Sequence, residues 1–556
     1  MTKQNKIILS IIIYIFISVV AHGFDEKDSH PRITEHAVVK YSNLNEYLIS
    51  NLGLSQGYKT EVAKTVNNAL TKQPAWKWIS DGSKEEDVPL GRASNHFHNP
   101  LKPWDQSYVT DSALQTIYAY LAGWTPIYSN VTWATGYKSP TERANMDNAY
   151  NPYLDPPAPN NWDNARIYYY KALTRPTPTG ANGRETALAQ TFQALGQVMH
   201  LLEDMAVPAH VRNDFESHLT FNPSTYGTLW PYNPFEFYVK THPNVVSGAL
   251  KPTFTTSRLT NFWDTEQYTP EMNPSQLTNP GLAEYTNANF VSDSTFSTAE
   301  TGSVTSDHYF KYPNANTSID SSVSRVTVTI NDPVHTGVQV PREYYKKTPD
   351  GDTGYLLAGI DYLNFRVETL SEANPGETIT YIAATIATMD DNVHAGYAQK
   401  LLPRAVGYSA ALIDYFFRGK LDLIRDDAGA GYIIVNRTSE AMSGEFQIYG
   451  EFQIYTDDET GNRSPLLSTP LTLSLAVSDT ATGALLDRSG SITLEGVTED
   501  STLIVVFRGR LGNELGAVAG RVIRNGVFVL AIPFDHATRE SRGKMYFRIR
   551  GNILEP

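Results

Sequence analysis

Cysteine is absent from all 556 residues. That absence excludes disulfide staples, a disulfide-linked partner, a lipid-modified N-terminal cysteine, a thiolate zinc site and a cysteine nucleophile. Any metal must therefore be held by imidazole, carboxylate or backbone groups. A basic surplus is missing as well, the formal net charge being −14. Such a surface gives no basic footprint to nucleic acid or anionic lipid and repels both at long range, which makes nucleic acid the less favoured partner. Long apolar runs are scarce: hydrophobic residues make up 41%, which argues for a soluble globular chain and against a polytopic membrane one.

One segment departs from that pattern. Lys3 and Lys6 precede an apolar run from Ile7 to Ala21, which ends in Ala21-His22-Gly23. A charged start, an apolar stretch shorter than a membrane span and small residues at the −3 and −1 positions read as a signal peptide, 1–23, cut before Phe24. An uncleaved anchor and a cut before His22 are the alternatives. The protein is expected to be secreted or periplasmic.

Helical spacing of apolar residues runs through Thr34 to Leu52, Lys59 to Lys72, Ser112 to Trp124 and Ala165 to Leu173. It is strongest from Arg184 to Met205, where Ala187, Leu188, Phe192, Leu195, Val198, Met199 and Leu202 form a stripe. A polar loop is expected over Ser80 to Pro103. Residues 243–353 are rich in Thr, Ser, Asn and Pro, with one β-like run at Val326 to Ile330, and read as a long insertion. Helical spacing returns over Glu377 to Leu402, breaks at Pro403 and resumes from Arg404 to Arg418. After Asp426-Asp427-Ala428-Gly429-Ala430-Gly431 come short β-branched runs: Tyr432 to Val435, Leu471 to Val477, Thr502 to Arg508, Gly526 to Ile532 and Lys544 to Arg550. Their spacing predicts a β-sandwich. The expected fold is multi-domain: an all-α catalytic domain over 24–425, interrupted by the insertion, then a β-rich accessory domain over 432–556. The tandem repeat Gly444-Glu-Phe-Gln-Ile-Tyr449 and Gly450-Glu-Phe-Gln-Ile-Tyr455 has even length, so a duplicated strand segment would keep each side chain on its face.

Histidines and carboxylates recur in a few short contexts. His200 and Asp204 stand four residues apart, on one face of the strongest helical pattern, with Pro208 and His210 just beyond. Taken alone, this is either a structural His–Asp hydrogen bond or a grip on one or two divalent ions. Asn95-His96-Phe97-His98-Asn99-Pro100 follows Gly82-Ser-Lys-Glu-Glu-Asp87 in the polar loop, His30 precedes the first helix, and His218 and Glu236 follow His210. Imidazole and carboxylate without sulfur suit catalytic zinc and multi-metal phosphoesterase sites.

These motifs resemble the bacterial zinc-dependent phospholipase C family, which shares its fold with secreted single-strand-specific zinc nucleases. The family pattern His-x3-Asp-x5-His is matched by His200, Asp204 and His210. Its Gly-x4-Asp followed by His-Phe-x-x-Pro is matched by Gly82, Asp87 and His96 to Pro100. His30 is similar to the family's early histidine, and Phe24 stands where a mature N-terminal Trp binds metal through backbone atoms. The helix from Val406-Gly407-Tyr408 to Phe417 resembles the one that closes the catalytic domain. Tyr232 occupies the place of the family's histidine four residues before Glu236, so His218 is taken as the substitute imidazole.

The resemblance implies up to three zinc ions in a cleft between helices. One would be held by Phe24, His30 and a bridging Asp204, a second by Asp87, His96, His200 and Asp204, and a third by His210, His218 and Glu236. Asp87 would also orient or deprotonate the attacking water. Arg212 is open to two readings, phosphate contact or a salt bridge with Asp214. His98 is either a support for the site or a surface residue. Trp76, Trp78 and Trp104 either line a cleft or pack in the core. The implied activity is phospholipase C-type hydrolysis of phospholipid or another phosphodiester, with peripheral membrane contact through the β-rich domain. The alternatives are a zinc-dependent single-strand nuclease and a surface or binding protein whose metal site is structural.

Overall fold

The computed structural model describes residues 29–549, apart from 67–68, 89, 111–126, 137–159, 216, 218–232, 248–253, 294, 297–308, 333–334, 349–353, 371–374, 427–430, 443–449, 478–486, 499, 525–527 and 533–544. The predicted signal segment, Phe24, His218, Tyr232, the helical pattern from Ser112 to Trp124 and the first copy of the repeat lie outside the described residues or nearly so.

The chain opens with helix α1 (Ser29–His36), which runs on as a π-helical turn over Ala37–Tyr41, and α2 (Leu44–Ser50). The helix expected across Lys59 to Lys72 is instead an antiparallel hairpin, β1 (Glu61–Val66) and β2 (Ala69–Pro74), paired from Glu61↔Pro74 to Val66↔Ala69. Asn67-Asn68 between two β-capable runs is the turn signal that outweighs a chance helical period. Next come α3 (Ala75–Glu85), α4 (Asn130–Thr135) and α5 (Trp162–Thr174). The start of α5 is a reciprocal cap, Asn161 Oδ1 accepting from Asn164 N at 3.0 Å while Asn164 Oδ1 accepts from Asn161 N at 3.3 Å. The long helix α6 (Arg184–Asp204) is enclosed along its second half, every residue from Ala194 to Asp204 being buried. Its neighbours are the short α7 (Pro208–Val211) and α8 (Pro234–Thr241).

The stretch expected to be an insertion is built into the same core. Phe254, Leu259, Phe262, Trp263, Leu282, Ala283, Phe290 and Val291 pack in one apolar cluster with the stripe of α6. Helix α9 (Leu282–Asn289) lies here, and the β-like run becomes β3 (Val323–Asn331). It begins a four-stranded antiparallel sheet in chain order with β4 (Gln339–Lys347), β5 (Tyr355–Leu370) and β6 (Pro375–Thr388). The first residues read as helix, from Glu377, are therefore strand: their Thr and Ile content suits a ladder, and β5 supplies one from Gly359↔Thr388 to Leu370↔Pro375. Helix α10 (Asp391–Phe416) then passes straight through Pro403. Proline there removes one backbone donor, and the complete burial of Leu401, Leu402, Ala405 and Val406 around it holds the helix together. The region 24–425 is thus mixed helix and sheet, which corrects the all-α expectation.

Strands β7 (Leu421–Arg425) and β8 (Tyr432–Asn436) form a small sheet, so β structure begins before the expected boundary at 432. A larger antiparallel sheet contains β9 (Gly450–Asp457), β10 (Arg463–Pro465), β11 (Leu471–Leu473), β12 (Thr502–Leu511) and β13 (Glu514–Arg524). A separate pair, β14 (Phe528–Ile532) and β15 (Met545–Ile549), completes it. Alternation along β12 explains its packing. Leu503, Val505 and Phe507 join a core with Leu421, Leu423 and Ile434, while Ile504 and Val506 face the helical core. Among the described residues no helix is long and apolar enough to cross a membrane.

Candidate metal centre

Two glycines set the position of the site. An added Cβ at Gly82 would lie 2.0 Å from the Gln193 carbonyl oxygen, and one at Gly196 would lie 1.9 Å from that of Ile79. Helices α3 and α6 therefore approach backbone to backbone. This contact carries the Ser83 carbonyl to His200, whose Nδ1–H donates to it at 2.7 Å. The other ring nitrogen, Nε2, is left pointing at Asp87 and Asp204.

Asp204 ends α6 and stands at the centre. Its Oδ1 is 3.3 Å from His30 Nε2, and its Oδ2 is 3.0 Å from His96 Nδ1 and 3.5 Å from His200 Nε2. Asp87, just past α3, puts Oδ1 3.5 Å from His96 Nδ1 and Oδ2 3.7 Å from His200 Nε2. The rings of His30 and His200 stack with centroids 3.7 Å apart. Two trios have all their donor atoms within 4.8 Å of one another: His30, His200 and Asp204, and Asp87, His96 and His200.

Beyond α6 the chain cannot continue as helix into Pro208, and α7 turns His210 back toward the cluster. His210 Nδ1–H donates to the His96 carbonyl at 2.9 Å, His98 N donates to the His210 carbonyl at 2.9 Å, and Phe97 stacks on the His210 ring at 4.7 Å. The loop and the turn hold each other. His210 Nε2 then lies 3.3 Å from Glu236 Oε1. Asn233 caps α8 by accepting from Phe235 N and Glu236 N, which fixes Glu236 in the first turn.

Sequence-predicted residues His30, Asp87, His96, His200, Asp204, His210 and Glu236 thus come together, each no more than 2% exposed. Phe24 and His218 lie outside the described residues. Arg212 does not join them and is a correction. It is fully buried with its guanidinium donating to Thr295 Oγ1 and to the carbonyls of Asn287, Tyr312 and Thr295, over the Phe310 ring at 4.2 Å. Its donors are taken by three backbone carbonyls and one hydroxyl, so it serves the scaffold. Burial draws its pKa down to about 10. His98 also belongs to the scaffold: His98 Nε2 and Trp104 Nε1 both meet Asp264 Oδ2, at 2.9 and 3.1 Å. Trp78 and Trp104 are core residues, Trp78 Nε1 donating to the Val62 carbonyl.

Two carboxylates escaped the sequence reading. Glu203 Oε2 meets His30 Nδ1 at 2.9 Å, and Glu86 accepts from Trp133 Nε1 at 2.9 Å and pairs with Arg92. The available signal was positional: Glu203 and Asp204 are consecutive acids at the end of an apolar stripe, where only paired charges can be buried.

Burial and the neighbouring His30 and His96 hold His200 well below the ordinary histidine range, against the pull of Asp204. Burial opposes ionisation of Asp204, but the imidazoles of His200, His210 and His96 and the contact with His30 outweigh it and hold the carboxyl well below its usual range. For His30 and His210 the lowering by burial is outweighed by adjacent carboxylates, and both are raised. Burial raises Glu203, against the pull of His30.

The donor set fits a divalent ion. Both oxygens of Asp204, both ring nitrogens of His96 and Nε2 of His200 are buried with no hydrogen-bond partner. Such groups are costly to bury unless a cation satisfies them. Donors bound tetrahedrally at about 2.0–2.1 Å stand roughly 3.3 Å apart, and the contacts around Asp204 span 3.0 to 3.5 Å. Nitrogen and oxygen without sulfur suit zinc among the common ions.

No family model matches the chain, and no curated protein matches it. Among solved structures, the alpha toxin from Clostridium absonum aligns over 91% of this chain and 98% of its own, at 10% identity and a TM-score of 0.24. A likeness at that score transfers neither fold nor activity.

Proposed function

We propose that this chain is an exported, zinc-dependent phosphodiesterase that hydrolyses phospholipid headgroups in the manner of a phospholipase C. The observation that carries the reading is Asp204, a buried carboxylate with His30 at one oxygen and His96 and His200 at the other. A carboxylate shared between two donor sets is the ligand a multi-metal phosphoesterase requires. Asp87, His96 and His200 would hold one ion and His30 with Asp204 another. His210 and Glu236 offer part of a third set. Bound zinc lowers the pKa of a coordinated water towards neutrality and neutralises phosphate oxygens.

The protein groups divide the remaining work. His200, its Nδ1–H committed to the Ser83 carbonyl, turns Nε2 toward the two carboxylates, where it would serve as a ligand. Asp87 is buried but precedes Val88, which is 58% exposed, so among the cluster's acids it sits beside open surface along the chain. That suits it to orient an attacking water or take its proton. The −14 net charge disfavours polyanionic substrates relative to zwitterionic headgroups. Export through residues 1–23 and peripheral lipid contact through the β-rich region belong to the same proposal.

The test is elemental analysis of the purified chain, with release of phosphocholine from phosphatidylcholine and of nucleotides from single-stranded DNA, before and after chelation. Two or three zincs and chelator-sensitive phosphocholine release are expected. Asp204→Ala should lose at least one zinc equivalent and lower turnover by more than ~100-fold. Release of nucleotides instead would assign a nuclease. A metal-free protein inert on both substrates would end the enzymatic reading. Recovery of exported protein beginning at Phe24 tests the leader.

A further inference from the structure

Glu203 precedes Asp204 on α6, is completely enclosed, and touches two other helices of the chain. Its Oε2 meets His30 Nδ1 at 2.9 Å. Its Oε1 accepts from Thr34 Oγ1 at 2.8 Å and from Ser409 Oγ at 3.2 Å. His30 and Thr34 lie one turn apart on α1, and Ser409 lies within α10. We propose that Glu203 is a positioning residue for metal binding: it fixes the tautomer and orientation of His30, so that Nε2 faces Asp204 with its lone pair available. The proposal rests on reading the cluster as a metal centre.

The chemistry follows from the inventory of protons. A neutral imidazole has one N–H, and an ionised carboxylate can only accept. Both ring nitrogens of His30 face carboxylates, Nδ1 at Glu203 and Nε2 3.3 Å from Asp204 Oδ1; with a cation on Nε2, the one remaining N–H is on Nδ1, where Glu203 accepts it. Partners behind a ligating histidine hold its ring and raise its basicity, and their loss costs about 10–100-fold in metal affinity. The two hydroxyls in turn orient the carboxylate, aiming one oxygen at His30. His200 and His210 are held in the same way, but by the carbonyls of Ser83 and His96. Of these three histidines, His30 alone is backed by a side-chain carboxylate, and so by a group that substitution can change without altering the backbone.

A merely structural role would be to tie α1, α6 and α10 together, and the two roles separate experimentally. Glu203→Gln keeps the volume; its amide oxygen can accept from His30 while its NH2 group faces hydroxyls that also accept. Thr34→Val combined with Ser409→Ala keeps the carboxylate on His30 but removes what aims it. His30→Ala marks complete loss of the ligand. The full chain is stripped with chelator, zinc is titrated in competition with a chromophoric chelator, and the apo thermal midpoint is recorded for each variant. The His30 tautomer is read in the zinc-loaded protein from long-range proton–nitrogen NMR correlations.

Glu203→Gln is expected to weaken one zinc equivalent about 10–100-fold, leaving the others and the apo midpoint near wild type. The double variant should give a smaller loss at the same equivalent. In the zinc-loaded wild type His30 should carry its one proton on Nδ1. Unchanged affinity at every equivalent in Glu203→Gln, or a lowered apo midpoint with unchanged zinc affinity, would overturn the proposal. So would a zinc-loaded His30 with its proton on Nε2. If wild type binds no zinc at all, the metal-centre reading fails and the link between Glu203 and metal falls with it.

Discussion

At the scale of single residues, burial decides which polar groups serve chemistry and which serve the scaffold. Arg212 and His200 lie a dozen positions apart and are equally hidden, yet their surroundings differ in kind. Arg212 spends its donors on a hydroxyl and three backbone carbonyls, whereas His200 keeps Nε2 among carboxylates without a hydrogen bond. Arg212→Met would take the guanidinium donors away from those buried acceptors, a loss on the order of 3 kcal/mol or more. Urea unfolding should show that drop, with KM unchanged in whatever native protein remains. A raised KM at unaltered stability would return Arg212 to the substrate. The motif residues of the cluster were legible in the sequence because histidine and aspartate are rare companions of an apolar stripe. Glu203 was not, since its partner His30 is 173 positions distant and no local pattern joins them.

At the scale of elements, the crossing of α3 and α6 controls the site from one turn away. Gly196 has no room for a methyl group against the Ile79 carbonyl, whereas an added Cβ at Gly490 would meet nothing within 4 Å. Gly196→Ala should therefore destabilise by about 1–3 kcal/mol or more. It should also lower zinc content, because the helices must part and the Ser83 carbonyl recedes from His200. Gly490→Ala is the matched control and should change neither. Normal zinc content in Gly196→Ala would mean that the cluster tolerates displacement of α3. The same crossing explains why Gly82 stands five residues before Asp87: its role is contact with α6. Elements misread from the sequence have two causes. The β1–β2 hairpin was signalled locally by Asn67-Asn68, whereas β6 and the passage of α10 through Pro403 are decided by neighbours that overrule a weak local preference.

At the scale of the whole molecule, the β-rich region is packed on the helices through a buried ionic junction. Glu514, at the start of β13, accepts from Arg166 at 2.9 and 3.0 Å, from Trp162 Nε1 at 2.8 Å and from Arg418 at 2.6 Å. Burial alone would lower Arg418, but Glu514 and Glu440 outweigh it and raise it. Ile504, Val506 and Val518 carry the helical core into the sheet. Glu514→Ala strands the buried Arg166 guanidinium, while Arg418 keeps Glu440, and should cost about 3–5 kcal/mol, seen as a lowered thermal midpoint of the whole chain with zinc still bound. A midpoint within a degree of wild type would mean that the junction is ornamental and the β-region an independent appendage.

By itself the sequence determined the chemistry on offer. The lack of cysteine confined any metal to nitrogen and oxygen, and the spacing of His200, Asp204 and His210 follows from one helical turn and a proline stop. The β-branched runs after residue 430 marked strands because side-chain branching favours a pleated backbone. Those features are local, and short-range geometry is written in neighbouring residues. Only the tertiary structure decided which distant groups share the site. His30 and His96 reach Asp204, Asp87 reaches His96 and His200, and Glu236 reaches His210, across loops whose closure depends on the core as a whole. The same long-range packing drew Phe254, Leu259, Phe262, Trp263 and Leu282 into that core, turned Arg212 away from the cluster, and buried both faces of β12.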